Sequence, residues 1–131
     1  MKKSVEAWSP FFLSVLRIIA AFLFLEHGTS KIFDIPPQPV PHAVQLFTLV
    51  GFSAILELVG GALLFFGLFT RLTAFILSGE MAVAYFMVHA PHGFFPLANK
   101  GELAVLYCFV FLFLAAAGGG PVGLDRLRGK S

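Results

Sequence analysis

The chain is short of charge. Only 12% of its 131 residues are Asp, Glu, Lys or Arg, about half the share found in soluble domains. Too few polar side chains remain to cover a water-facing surface. A single cysteine, Cys108, excludes an intramolecular disulfide, and no C-x-x-C pair exists for thiol exchange. Cys108 therefore reads as a small apolar residue at a helix interface. No H-x-x-x-H, H-E-x-x-H or C-x-x-C-H spacing occurs, so no motif points to zinc or to attached haem. The net charge of +2 forms no basic stripe, which argues against a nucleic-acid partner.

What is present is mostly apolar. The chain is 58% hydrophobic with 17 phenylalanines, and its mean hydropathy is +0.89. One small soluble core could not bury so many rings, so the lipid bilayer is the expected solvent. Apolar runs cover 11–25, 43–69, 72–88 and 103–117. At about 20 residues per crossing, they place helices near 9–31, 43–69, 71–90 and 101–118. The expected fold is all-α, an integral membrane four-helix bundle forming one domain over 1–131.

The boundaries follow from local chemistry. Ser9-Pro10 suits a helix start, since proline is tolerated in the first turn. Pro36-Pro37-Gln38-Pro39-Val40-Pro41 cannot sustain a helical ladder and reads as an extended connector. Thr70-Arg71 reads as a tight turn, 90–100 as a loop, and Gly118-Gly119-Gly120-Pro121 as a helix stop. Lys2 and Lys3 before the first run resemble a signal segment. Arg17 interrupts that run, however, and Glu26-His27-Gly28 follows it, so the segment is read as a retained helix. Six basic residues (Lys2, Lys3, Arg71, Arg126, Arg128 and Lys130) fall on one side, against Lys31 and Lys100 on the other. The positive-inside rule then puts both termini in the cytoplasm; the expected location is a bacterial or archaeal inner membrane. No internal repeat is evident.

Ionised side chains lie inside these runs: Arg17 in the first, Glu57 in the second and Glu80 in the third. Charges at such depth cost a few kcal/mol each and are by default functional candidates. At about 100° per residue, Arg17 shares a face with Gly28 and Lys31. Glu57 shares one with Ala54, Gly60, Gly61 and Gly67, and small residues there invite a close helix neighbour. Glu80 lies with Ala84 and Met87. Arg17 is expected to reach inward and pair with Glu57 or Glu80. Such a pair can merely fix helix packing. Yet one arginine cannot neutralise two carboxylates, so the second is expected to be protonated or to bind a proton, cation or polar ligand.

The opposite side gathers Glu26, His27, Lys31, His42, His89, His92, Asn99 and Glu102. His27 and His89 could ligate haem, and with Glu102 a metal, although the spacing gives no positive signal. Interfacial hydrogen bonding, or a polar site for a quinone head group or sulfur compound, are the competing readings. Trp8 suits the interfacial belt, and the phenylalanines read as lipid-facing or interhelical packing.

In order along the chain stand Arg17, His27-Gly28-x-x-Lys31, the segment 57–71 from Glu57-Leu58-Val59-Gly60-Gly61 to Thr70-Arg71, and Met81, Ala84 and His89. Gly93-Phe94-Phe95, Asn99-x-Gly101-Glu102, Tyr107 and Gly118-Gly119-Gly120-Pro121 with Leu124-Asp125 complete the set. As an ordered set over nearly the full length, they resemble the DoxX family of small four-helix membrane proteins. That resemblance implies a subunit linked to quinol oxidation or thiosulfate:quinone oxidoreduction, or a member of an oxidative-stress membrane complex. It implies Arg17, His27, Lys31, Glu57, Arg71, His89, Asn99 and Glu102 as the matching polar positions. With no flavin, haem or iron–sulfur motif, no intrinsic cofactor is expected. The expected role is an accessory subunit of a quinone-linked oxidoreductase, working beside a partner protein or as a homo-oligomer. Glu57 or Glu80 would exchange protons, Arg17 would hold the counter-charge, and His27, Lys31, His89 and Glu102 would contact the polar head group, with Asn99 also among the expected site residues. The alternatives are a proton-coupled small-molecule carrier and a non-catalytic assembly or stability factor.

Overall fold

The computed structural model describes residues 2–39 and 45–129. The expected position of His42, the expected start of the second helix at 43 and the charge on Lys130 lie outside the described residues. Helices α1 (Lys2–Glu6), α2 (Ser9–Phe33), α3 (Leu49–Phe66) and α4 (Thr70–Ala84) are followed by α5 (Pro96–Asn99), α6 (Glu102–Ala117) and α7 (Leu124–Leu127). No strand occurs among the described residues. Three segments are long and apolar enough to cross a membrane: Lys2–Phe33, Leu49–Phe66 and Thr70–His92. Helix α6 is equally apolar in character but has 16 residues, about 24 Å at 1.5 Å per residue.

Each boundary has a cause. Helix α3 starts later than the hydropathy suggests because Thr48 caps it, its hydroxyl accepting from the Gly51 N–H at 3.1 Å. It ends at Phe66, short of the expected 69, because Gly67 turns left-handed at φ 68°. The Leu68 N–H then bonds back to the Leu63 carbonyl at 2.9 Å. The tight turn is therefore 67–69, and Thr70 and Arg71 already belong to α4. Beyond Ala84 the third crossing relaxes into a π turn at Tyr85–His89 and a 3₁₀ turn at Ala90–His92. The following loop contains the short helix α5, which the sequence did not announce.

Two antiparallel pairs make the bundle: α2 runs along α3, and α4 along α6. Gly28 lets the first pair touch backbone to backbone, since a Cβ there would stand 2.7 Å from the Leu58 nitrogen. In the second pair, the Ser78 hydroxyl donates to the Cys108 carbonyl at 2.7 Å. The pairs join through Phe24 of α2, which meets Phe111 edge-on at 5.0 Å and Tyr107 at 5.4 Å. Leu64, Leu77 and Leu114 are fully buried around these rings. Phe12, Ile19, Phe22, Phe52, Phe66 and Phe75 point outward, as a bilayer solvent requires.

Arg17 departs from the expectation. It pairs with neither glutamate. Its side chain is 1% exposed, and Nη1 donates to the Gly119 carbonyl at 2.5 Å. The reason is axial reach: a long basic side chain two turns into α2 folds back toward the nearer end. There it meets unsatisfied carbonyls past the C-terminus of α6, where a cation is favoured. Gly67, Gly119 and Gly123 surround the guanidinium so closely that a Cβ on any of them would lie within 2.8–2.9 Å of Nη1.

Neighbouring contacts complete a clasp at the end carrying both termini. Ser14 donates to the Gly119 carbonyl and accepts from the Val122 N–H. Arg71 donates to the carbonyls of Ala115 (3.3 Å) and Ala116. The Asp125 carboxylate takes the N–H groups of Phe69 and Thr70, both at 2.9 Å, and so caps α4 in place of a local side chain. Arg128 lies 4.2 Å over the Phe69 ring, helping to hold Phe69 in its left-handed φ of 51°.

Burial alone would raise the Asp125 carboxyl, but the hydrogen bonds from the Thr70 and Phe69 backbone and the charge of Arg128 outweigh it and hold the group below its ordinary value. A depressed group contributes fully above its unfolded value, about 3.9, and that contribution vanishes as pH falls through the lower folded value. Asp125→Asn should therefore lower thermal stability in detergent at neutral pH by about 1 kcal/mol. Below about pH 4 its disadvantage should shrink as the wild type loses the same contribution. A difference that stays constant into acid would refute the cap.

Candidate functional site

Helices α3 and α4 leave their turn close together. At Gly60 a Cβ would come within 2.9 Å of the Leu77 methyls. Further along they separate, and the gap becomes a cavity of about 440 Å³ lined by Leu56, Ile76, Val83 and Met87, with Lys31, Ser53, Glu57 and Glu80 as its polar groups. That volume lies within the usual range for a small-molecule site.

Its polar base is a chain of three contacts. Lys31 Nζ is 2.8 Å from Glu57 Oε1. Ser53 Oγ lies 3.3 Å from the same oxygen and 2.7 Å from Glu80 Oε1. A hydroxyl has one proton, so Ser53 serves one carboxyl at a time and favours the nearer. Lys31 reaches the cluster from α2, where Gly28, one turn earlier, brings the helix against the backbone of Glu57 and Leu58. Glu57 is 3% exposed and belongs to the expected small-residue stripe, with Ala54, Gly60 and Gly61 all buried.

The cluster has more acceptors than donors. Glu57 Oε2 and Glu80 Oε2 are buried with no hydrogen-bond partner among the described residues. Buried polar atoms are nearly always satisfied, so this pair of oxygens can receive hydrogen bonds from a bound molecule, and Lys31 can donate to one.

Of the eight residues singled out from sequence, the fold brings together Lys31, Glu57 and Glu80. Arg17 sits in the clasp at the other end. Asn99 is buried as a loop organiser: its amide nitrogen donates to the Tyr85 hydroxyl and the Gly93 carbonyl, and its oxygen accepts from the Gly101 N–H. His89 approaches the Asn99 carbonyl at 3.1 Å. His27 is exposed, bonded to the Leu23 carbonyl and edge-on to Tyr107. Glu102 is exposed in the first turn of α6, lining a shallow depression with Pro96, Leu97 and Lys100. Among the described residues, no three His, Cys, Asp or Glu side chains are grouped to hold a metal. Sequence reasoning passed over Ser53, although it precedes Glu57 by one helical turn, and Gly79, beside Glu80 in the cavity wall. Asp125 was noticed as part of a pattern without a role.

The DoxX family model matches residues 12–90, a stretch that contains the whole polar base. An "Uncharacterized protein" of Haemophilus influenzae is 44% identical over 127 residues, covering 94% of this chain and 95% of its own. A second protein of that organism, also named "Uncharacterized protein", is 29% identical over 130 residues, covering 90% and 83%. A Bacillus subtilis protein named "Putative oxidoreductase CatD" is 29% identical over 118 residues, covering 85% and 82%. No solved structure matches.

Removing one partner of the Lys31–Glu57 pair strands the other. Lys31 is one-third exposed, so part of the loss is screened. Lys31→Met should destabilise the protein in detergent by about 1–3 kcal/mol, and adding Glu57→Leu should restore most of it. A double variant no more stable than the single one would show that the pair is not coupled.

Proposed function

The chain belongs to the DoxX family, and on that premise we propose that it is a redox-associated membrane subunit binding a quinone-class molecule between α3 and α4. The observation that carries this reading is the cavity's composition. Its walls are apolar, and its base offers one ammonium and two carboxyl oxygens without a partner among the described residues. A quinone ring presents carbonyl oxygens that Lys31 can bind, and a quinol presents hydroxyls that Glu57 and Glu80 can accept. The bound molecule supplies the capacity to carry two electrons and two protons. Glu80, linked to Ser53 and away from Lys31, is the group that takes up or returns a proton at its free oxygen. Lys31 pairs with Glu57 at 2.8 Å and orients it. The lack of a flavin, haem or iron–sulfur motif in the sequence assigns electron transfer to a partner oxidoreductase. The name carried by the Bacillus subtilis relative is in keeping with this.

The same reading makes the protein a multi-pass component of a bacterial or archaeal inner membrane with both termini cytoplasmic. The basis is the basic set at the clasp end (Lys2, Lys3, Arg71, Arg126 and Arg128), together with Lys130 in the sequence. The polar base then lies beyond the clasp, toward the outer half of the bilayer.

Binding of a short-tailed benzoquinol to the protein in lipid nanodiscs tests the proposal. Saturable binding is expected, weakened about tenfold by Glu80→Gln and by Ser53→Ala, as for loss of one hydrogen bond to a charged group. Absence of saturable binding, or binding indifferent to both changes, would overturn it. Uptake into proteoliposomes driven by a pH gradient, without quinol binding, would favour a carrier instead.

A further inference from the structure

The cavity opens in an unusual direction. Its lining includes Phe52, Ile76 and Val83, which are also exposed on the outer surface of the bundle at 58%, 47% and 54%. A residue that both lines a cavity and faces lipid marks a mouth in the side of the bundle. On α4, Ile76, Gly79 and Val83 succeed one another at helical spacing along that side. The two outer positions are bulky and the central one has no side chain. A Cβ at Gly79 would find no atom within 4 Å, unlike Gly28, Gly60 and Gly61, where one meets a neighbouring helix. Close helix packing therefore does not require this glycine, and its effect is to leave space beside Glu80.

Depth restricts the occupant. Glu57 is eight residues into α3, about 12 Å from its start, and Glu80 is ten residues into the Thr70–His92 crossing, about 15 Å from its start. Both carboxyls thus sit near the middle of their helices, more than two turns from either end. An ionic phospholipid head group would have to leave the interface to reach them, at a prohibitive desolvation cost. A neutral lipid whose small head carries hydroxyl or carbonyl groups already dissolves at that depth. The base suits such a head, because Glu57, more than nine-tenths buried, has one oxygen unpartnered among the described residues.

We propose that a neutral, small-headed lipid enters this site sideways from the bilayer between α3 and α4, and that Gly79 keeps the passage open and so sets which molecules fit. This deepens the quinone reading and rests on it for the chemistry of the head group, while the route itself rests on the geometry of the mouth.

The experiment pairs variants at Gly79 with a positional probe. In nanodiscs, the wild type and Gly79→Ala should bind a decyl-tailed benzoquinol within about twofold of each other, whereas Gly79→Phe should lose about tenfold or more at an unchanged thermal midpoint. A spin label on Gly79→Cys, in a Cys108→Ser background, should collide with oxygen far more than with a water-soluble nickel chelate. If Gly79→Phe binds as the wild type does while Glu80→Gln does not, the passage is refuted and the quinone site stands. If the wild type binds no quinol, the quinone reading falls, and the spin label alone judges the route. Nickel-dominated relaxation overturns it, and oxygen-dominated relaxation sustains it. A phospholipid that co-purifies and is lost in Gly79→Phe would overturn the neutral-lipid assignment.

Discussion

Hydrocarbon offers no hydrogen bonds, so every polar group carried into it must be answered by the protein itself or by something the protein binds. The rest of this structure depends on that constraint. At the clasp end, carbonyls at and beyond the end of α6 meet Arg17, Ser14 and Arg71, and the N–H groups at the start of α4 meet Asp125, while Arg17 Nε and Thr70 Oγ1 have no hydrogen-bond partner among the described residues. In the middle of the bundle, two carboxyls meet one ammonium and one hydroxyl. What distinguishes the two places is the cavity: Glu57 and Glu80, whose second oxygens have no partner among the described residues, line it, and the clasp residues do not.

The two ends are mechanically related. Gly67, Phe69 and the Asp125 cap fix the turn between α3 and α4, and Gly60 against Leu77 keeps the helices in contact for their first turns. Beyond that contact each helix follows its own partner, α3 following α2 and α4 following α6. The divergence at Glu57 and Glu80 is thus the geometric consequence of a tight turn between two separately packed pairs. A clasp residue such as Asp125 can influence the cavity without approaching it, by setting the direction in which α4 departs.

Much of the fold was legible because its signals are one-dimensional. Apolar run length, Ser9-Pro10, the glycine stop after Ala117 and the stripe through Ala54, Glu57, Gly60 and Gly61 each speak through spacing alone. The partner of Arg17 was not legible, because a helical projection gives azimuth and discards height. Arg17 and Lys31 share a face yet lie 14 residues apart, about 21 Å along the axis, and only the second is level with Glu57. The caps at Thr48 and Asp125 were hidden for different reasons. Thr48 lies inside an apolar run that hydropathy treats as uniform, and Asp125 acts across 55 residues of sequence. Ser53 went unread because a serine in a membrane helix usually satisfies itself on its own backbone, whereas here it turns to two side chains.

The two seams between the helix pairs are filled in opposite ways. Between α2 and α6, Phe24, Tyr107 and Phe111 interlock edge to face and stacked, and all three are buried. Between α3 and α4 the equivalent depth holds Ser53, Glu57 and Glu80 on the inside and Gly79 on the rim. Aromatic filling would have served both seams if cohesion were the only demand, since dispersion and apolar packing stabilise a bundle at no desolvation cost. A carboxyl pair beside a vacant glycine does the reverse: it gives up packing and places polar groups inside the bundle, next to the exposed Gly79. The asymmetry divides the bundle into one seam that holds the pairs together and another that leaves the cavity in which we propose a ligand binds.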